Sequence, residues 1–214
     1  MKSACHQQTR QHPLLCLLIV IALFASGVAQ ANDETWLVLG DSLSAGYGIN
    51  VNKGWVALLS SRLQKQGKAI RVINGSVSGN TTGDGLARLP QLLATYTPTL
   101  VIIELGGNDG LRGHPLKIMR NNLQQIIDLS RQHGAEVFLV GIEIPPNYGE
   151  RYTQMFRQTF QQVAASREVS YLPFLLDGIA ITPEMMQDDG IHPTTEAQPM
   201  ILDNLWPHLN PWLQ

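Results

Sequence analysis

Cysteine is nearly missing from this chain. Its 214 residues include two, Cys5 and Cys16, both in the N-terminal segment. The rest of the chain therefore has no disulfide framework, no thiolate nucleophile and no cysteine metal site. An excess of one charge is missing too. Lys and Arg number 15 against 17 Asp and Glu, a net charge of −2. Without a basic stripe, nucleic acid is not an expected partner. Long apolar runs are scarce. The stretch 14–24 is one, but it falls short of the ~20 residues that span a membrane. Repeats and low-complexity segments are absent. What remains suits one ordinary globular domain, large enough to bury a core without crosslinks.

The first residues have a different logic. Lys2 and Arg10 precede the apolar run, and Ala29-Gln30-Ala31 follows it. This basic, apolar and small-residue order predicts a signal peptide over 1–31, with one mature domain over 32–214. An uncleaved anchor is the alternative. Cleavage removes both cysteines and leaves no stable membrane span. Pro13-Leu14-Leu15 before Cys16 lacks the small residue a lipid-attachment signal needs.

From there the chain alternates. Apolar runs at 35–39, 69–73, 100–105, 136–142 and 170–172 end in Gly, Asn or Asp. Continuous apolar character predicts strands covered on both faces. Between them lie segments with apolar residues three and four apart: 55–66, 84–96, 116–133, 151–166 and 195–209. These predict helices, with Pro90 expected to break the second. The pattern implies an α/β fold: a five-stranded parallel sheet of order 2-1-3-4-5, with helices on both faces. Strand one then lies between strands two and three. Their carboxyl ends open side by side, where such sheets bind ligands.

Three Gly-rich turns follow those ends. They are Gly40-Asp41-Ser42-Leu43-Ser44, Ser76-Val77-Ser78-Gly79-Asn80 and Gly106-Gly107-Asn108-Asp109. Acyl transfer needs a nucleophile, a base, an orienter of the base and oxyanion donors. Ser42 fits the nucleophile. Its own N–H, the Gly79 N–H and the Asn108 side-chain amide fit the donors. The base comes from His114, His133, His192 or His208. His133 ends a helix and His208 reads as packing; His114 is a candidate for lining the cleft. His192 stands out, because Asp189 lies three residues before it across a turn containing Gly190. That spacing lets a carboxylate orient the imidazole. Alone, each piece has a plainer reading: an ordinary turn, a helix cap, or half of a metal site. No second ligand sits at metal spacing, so no metal and no organic cofactor are expected. Ser44 reads as a helix-start or turn hydroxyl. Asp41 reads as a pin for its turn, and Glu104 and Asp109 as hydrogen-bond partners of nearby loops.

Four blocks carry a resemblance. GDSLSAGYG from Gly40, SVSGNTT from Ser76, GGNDGLRG from Gly106 and DDGIHP from Asp188 resemble the GDSL or SGNH hydrolases. The likeness covers essentially the whole mature chain. It implies the three-layer, flavodoxin-like SGNH hydrolase fold and hydrolysis of acyl esters and thioesters through Ser42, Asp189 and His192. It also implies Ser42, Gly79 and Asn108 as the oxyanion hole, a small-molecule substrate, no cofactor, and a periplasmic enzyme. A monomer is the default expectation. Leu111, Pro145, Tyr148 and Ile191 are candidates for substrate binding, and the two glycines in 110–115 suggest a loop that gates an acyl chain. The alternative from another class is a periplasmic flavin- or nucleotide-binding module, since the first turn of this fold can hold phosphate.

Overall fold

The computed structural model describes residues 34–213. The expected signal peptide and its cleavage point lie outside the described residues. The strands are β1 (Glu34–Gly40), β2 (Ile70–Asn74), β3 (Leu100–Glu104), β4 (Glu136–Val140) and β5 (Ser170–Leu172). All pair in parallel, in the order β2-β1-β3-β4-β5. The register aligns Val38 with Asn74 and Gly40 with Glu104. β1 and β3 therefore end together, β2 ends two residues earlier, and all three carboxyl ends open on the same edge of the sheet.

The helices are α1 (Ser42–Ala45), α2 (Trp55–Lys65), α3 (Thr82–Tyr96), α4 (Gly107–Leu111), α5 (Leu116–Gln132), α6 (Glu150–Arg167) and α7 (Gln198–Leu205). Neighbouring strand residues point to opposite faces, and the packing follows. Trp36 and Val38 pack with Trp55 and Leu59 of α2 and Ile201 and Leu205 of α7. Leu37 and Leu39 join Leu89 of α3, Leu123 of α5 and Phe156 of α6 on the other side. The three layers are thus set by the strand period.

Two helices depart from expectation. α3 starts at Thr82 rather than 84, because Thr81 and Asp84 form a reciprocal capping box that satisfies two amides of the first turn. Pro90 does not break it, and the helix runs on to Tyr96. Pro90 sits on the exposed side, while Leu89 and Leu93 are fully buried on the other. Burying each leucine contributes ~2 kcal/mol. Together these offset the ~3 kcal/mol a proline costs inside a helix. The last helix is shorter than its periodicity suggests. α7 gives way to a 3₁₀ segment, Trp206–Trp212, that contains Pro207 and Pro211, neither of which has an N–H to donate to a helix.

Candidate active site

Ser42 is the first residue of α1, immediately past the end of β1. Asp41 caps the helix by accepting the Leu43 amide at 3.1 Å, and so pins the turn. Below it, the Ser44 hydroxyl donates to Glu104 Oε2 at 2.6 Å. Ser44 stands in the first turn of α1, as expected, and its hydroxyl bonds across to β3 rather than to its own turn. It is buried and faces the end of β3, so it does not compete with Ser42. The Asp41 amide reaches the same Glu104 oxygen at 3.4 Å. Glu104 Oε1 has no hydrogen-bond partner among the described residues. Burial, followed by the nearby Asp41 charge, pushes the Glu104 carboxyl well above its usual range. Burial likewise raises Asp41 to about 6, against the opposing bonds from Leu43 and Asn108.

His192 comes to Ser42 from the far end of the chain. Its Nε2 lies 2.8 Å from Ser42 Oγ, and its Nδ1 lies 2.6 Å from Asp189 Oδ2. The other Asp189 oxygen accepts the amides of Ile191 and His192, each at 2.9 Å. Burial opposes the Asp189 charge, but those amides and the His192 ring outweigh it and lower its pKa to about 2. The expected spacing therefore closes into a hydrogen-bonded line Asp189–His192–Ser42. The Tyr47 ring, unforeseen from the sequence, lies 4.4 Å centroid to centroid from the His192 ring. The other histidines are elsewhere. His133 Nδ1 meets the Leu129 carbonyl at the end of α5, and His208 stacks on Phe138. His114 was a candidate for lining the cleft; it is exposed and outside the cavity, because it lies beyond α4 on the outer surface of the loop.

The loop from β2 to α3 carries Gly79 at φ +80, a conformation that favours glycine. Arg112 donates to the Gly79 carbonyl at 2.8 Å. Arg88 donates to the Asn80 side chain and the Gly75 carbonyl, bracketing the loop. Asn108 Nδ2 donates to Asp41 Oδ2 at 3.0 Å and to the Asn80 carbonyl at 3.1 Å, so its amide is held between the two other turns. Among the described residues the Ser42 and Gly79 amides have no hydrogen-bond partner. Asp109 accepts the amide and hydroxyl of Thr82, which fixes the start of α3.

A cavity of about 480 Å³ opens beside Ser42 and His192. Leu111, Pro145 and Ile191 line it, as the sequence suggested. Tyr148 does not. It lies on a separate outer depression, and its hydroxyl donates to the Leu111 carbonyl at 3.0 Å, which turns the ring away from the cavity. The far wall, Phe174, Leu176, Ile181 and Met186, was missed. Its signal was an apolar content in 173–186 higher than a solvated loop requires.

The chain matches the GDSL-like Lipase/Acylhydrolase family over residues 38–198. It is 48% identical over 190 residues to an arylesterase of Vibrio mimicus, covering 89% of this chain and 95% of that one. It is 42% identical over 195 residues to thioesterase 1/protease 1/lysophospholipase L1 of Escherichia coli (strain K12), covering 91% and 90%. The crystal structure of TesA superposes with a TM-score of 0.82 at 50% identity, over 85% of this chain and all of that one.

Proposed function

The chain belongs to the GDSL-like lipase/acylhydrolase family, and on that premise we propose how its residues divide the work. The protein is a carboxylic ester hydrolase with an α/β SGNH fold. Ser42 Oγ attacks the acyl carbonyl while His192 Nε2 takes its proton. Asp189 holds the other ring nitrogen and stabilises the imidazolium. The amides of Ser42 and Gly79 receive the oxyanion, joined by the Asn108 side-chain amide as one of its bonds, to Asp41 or to Asn80, gives way. Collapse expels the alcohol or thiol, protonated by His192. Water, deprotonated by His192, then attacks the acyl-enzyme and frees the acid and Ser42.

The observation that carries this reading is the line Asp189–His192–Ser42 at the mouth of an apolar cavity. The apolar lining suits the hydrocarbon part of an acyl group, with the scissile carbonyl at the polar end beside Asn108. Aryl esters, thioesters and lysophospholipids all present such a group, and the relatives' names include all three activities. Amide cleavage demands more leaving-group protonation from His192 and ranks last. A flavin or nucleotide phosphate in the first turn is set aside by the family match and by the buried Asp41 carboxyl at that helix start.

The same proposal makes the mature enzyme, from residue 32, a periplasmic monomer. Support comes from Lys2, Arg10 and Ala29-Gln30-Ala31 around the apolar run. No helix among the described residues is long and apolar enough to cross a membrane. N-terminal sequencing of the exported protein is expected to begin at Asn32; a retained Met1 contradicts it. For the chemistry, kcat/KM on an acyl-CoA, a lysophospholipid and an aryl ester should vanish together in Ser42→Ala. Turnover surviving in that variant on any of the three refutes the shared nucleophile.

A further inference from the structure

We infer that Gln187 is a positioning residue that holds His192 against Ser42; this rests on the reading of those two as base and nucleophile. The loop carrying Asp189 and His192 has little regular structure. Its bonds are largely internal: Gln187 N–H donates to the His192 carbonyl at 2.7 Å, Gly190 N–H to the Gln187 carbonyl, and Thr194 N–H to the Met185 carbonyl. Two described hydrogen bonds cross from it to the segment 42–47. One is the reactive contact between His192 and Ser42. The other runs from Gln187 Nε2 to the Tyr47 carbonyl at 2.9 Å.

The second bond closes a ring. Tyr47 N–H donates to the Ser42 carbonyl at 3.1 Å. Gln187 joins the Tyr47 carbonyl to the His192 carbonyl through its side chain and its own amide. His192 Nε2 returns to Ser42 Oγ. A second bond from Gln187 Nε2, to the Pro193 carbonyl at 2.9 Å, fixes the amide at both of its hydrogens. The same clamp sets Tyr47, whose ring lies against His192. During turnover the Ser42–His192 contact breaks and reforms as protons move. The Gln187 bonds take no part in that transfer, so the ring stays in register while the reactive contact changes.

Gln187 does not line the acyl cavity. A positioning role therefore lowers kcat and spares KM. The room beside Gln187 is also limited. A Cβ on Gly48, itself at φ +74, would lie 2.1 Å from Gln187 Oε1.

Gln187→Met keeps the length and removes both donors, whereas Gln187→Lys keeps donors for the two carbonyls. On a p-nitrophenyl acyl ester, Gln187→Met is expected to lose about tenfold in kcat with KM within about twofold, as small misplacements of reacting groups do. Phosphonate inactivation should slow in parallel. Gln187→Lys should recover much of the rate, and Gly48→Ala, which displaces Gln187 without altering it, should lower kcat as Gln187→Met does. The inference is overturned if Gln187→Met retains kcat within about twofold, if the Lys and Met variants lose equally, or if the loss vanishes at a lower assay temperature where all variants are folded. Ser42→Ala is assayed beside them. Activity there overturns the nucleophile; silence there with an unaffected Gln187→Met overturns the clamp alone.

Discussion

The two halves of the Asp189–His192–Ser42 line are held in opposite ways. Ser42 rests on the sheet. Beneath it lie buried Asp41, Ser44 and Glu104, with Asn74 donating to the Ser44 carbonyl at 2.8 Å. His192 and Asp189 hang on an exposed loop outside the sheet, held by its own amides and by Gln187. Two side chains 150 positions apart in sequence are thus brought together by unlike means. Ser42 draws its position from the core; His192 draws its position from a small set of hydrogen bonds. Damage to the loop should therefore cost rate more than stability, and damage beneath Ser42 should cost stability as well.

The largest effect expected is on the loop side. Asp189→Asn keeps the shape but supplies a donor where the imidazole needs an acceptor. A fall of about 10⁴-fold in kcat is expected, with little change in melting temperature. Pre-steady-state kinetics and a thermal melt check both halves of that statement. A fall under tenfold would show that the carboxylate does not orient the ring.

Next comes the oxyanion side. Asn108→Ala removes one proposed donor and should lower kcat about 10²- to 10³-fold. Because Asn108 also bridges Asp41 and Asn80, a modest loss of stability should accompany it. Steady-state kinetics beside a denaturant melt separate the two. An unchanged kcat would remove Asn108 from the oxyanion hole.

A smaller effect tests the buried side. Burial holds Glu104 well above the usual carboxylate value, so the folded state keeps its proton more tightly than the unfolded chain does. Its contribution is fully present below that value and is lost as pH rises toward the folded pKa. Glu104→Gln does not titrate. Relative to the parent it should gain melting temperature between pH 4 and pH 8, at about 2–4 °C per kcal/mol. Thermal melts of both proteins at the two pH values make the comparison, and an equal gap at both would contradict the neutral carboxyl.

How much of this was readable beforehand follows from the range of each interaction. Strand order was legible, because continuous apolar runs and helical spacing are local signals. Asp189 and His192 were legible because their contact spans three residues. The place of Ser44 at a helix start was legible, but its partner was not, since Glu104 lies sixty positions away at the end of β3. Gln187 left no signal, because a side chain bonding a distant carbonyl has neither period nor spacing. Tyr148 was placed on the correct loop but the wrong side of it: sequence sets the loop, while the Leu111 carbonyl sets the ring. Pro90 was overruled by the burial of Leu89 and Leu93.

We propose Ser42, and not its neighbour Ser44, as the reactive hydroxyl. Treatment with an alkyl phosphonate ester followed by peptide mass spectrometry tests it most directly. A single adduct on Ser42 is predicted, absent from Ser42→Ala and formed more slowly in Asp189→Asn. An adduct on Ser44, or full labelling of Ser42→Ala at another residue, would contradict it.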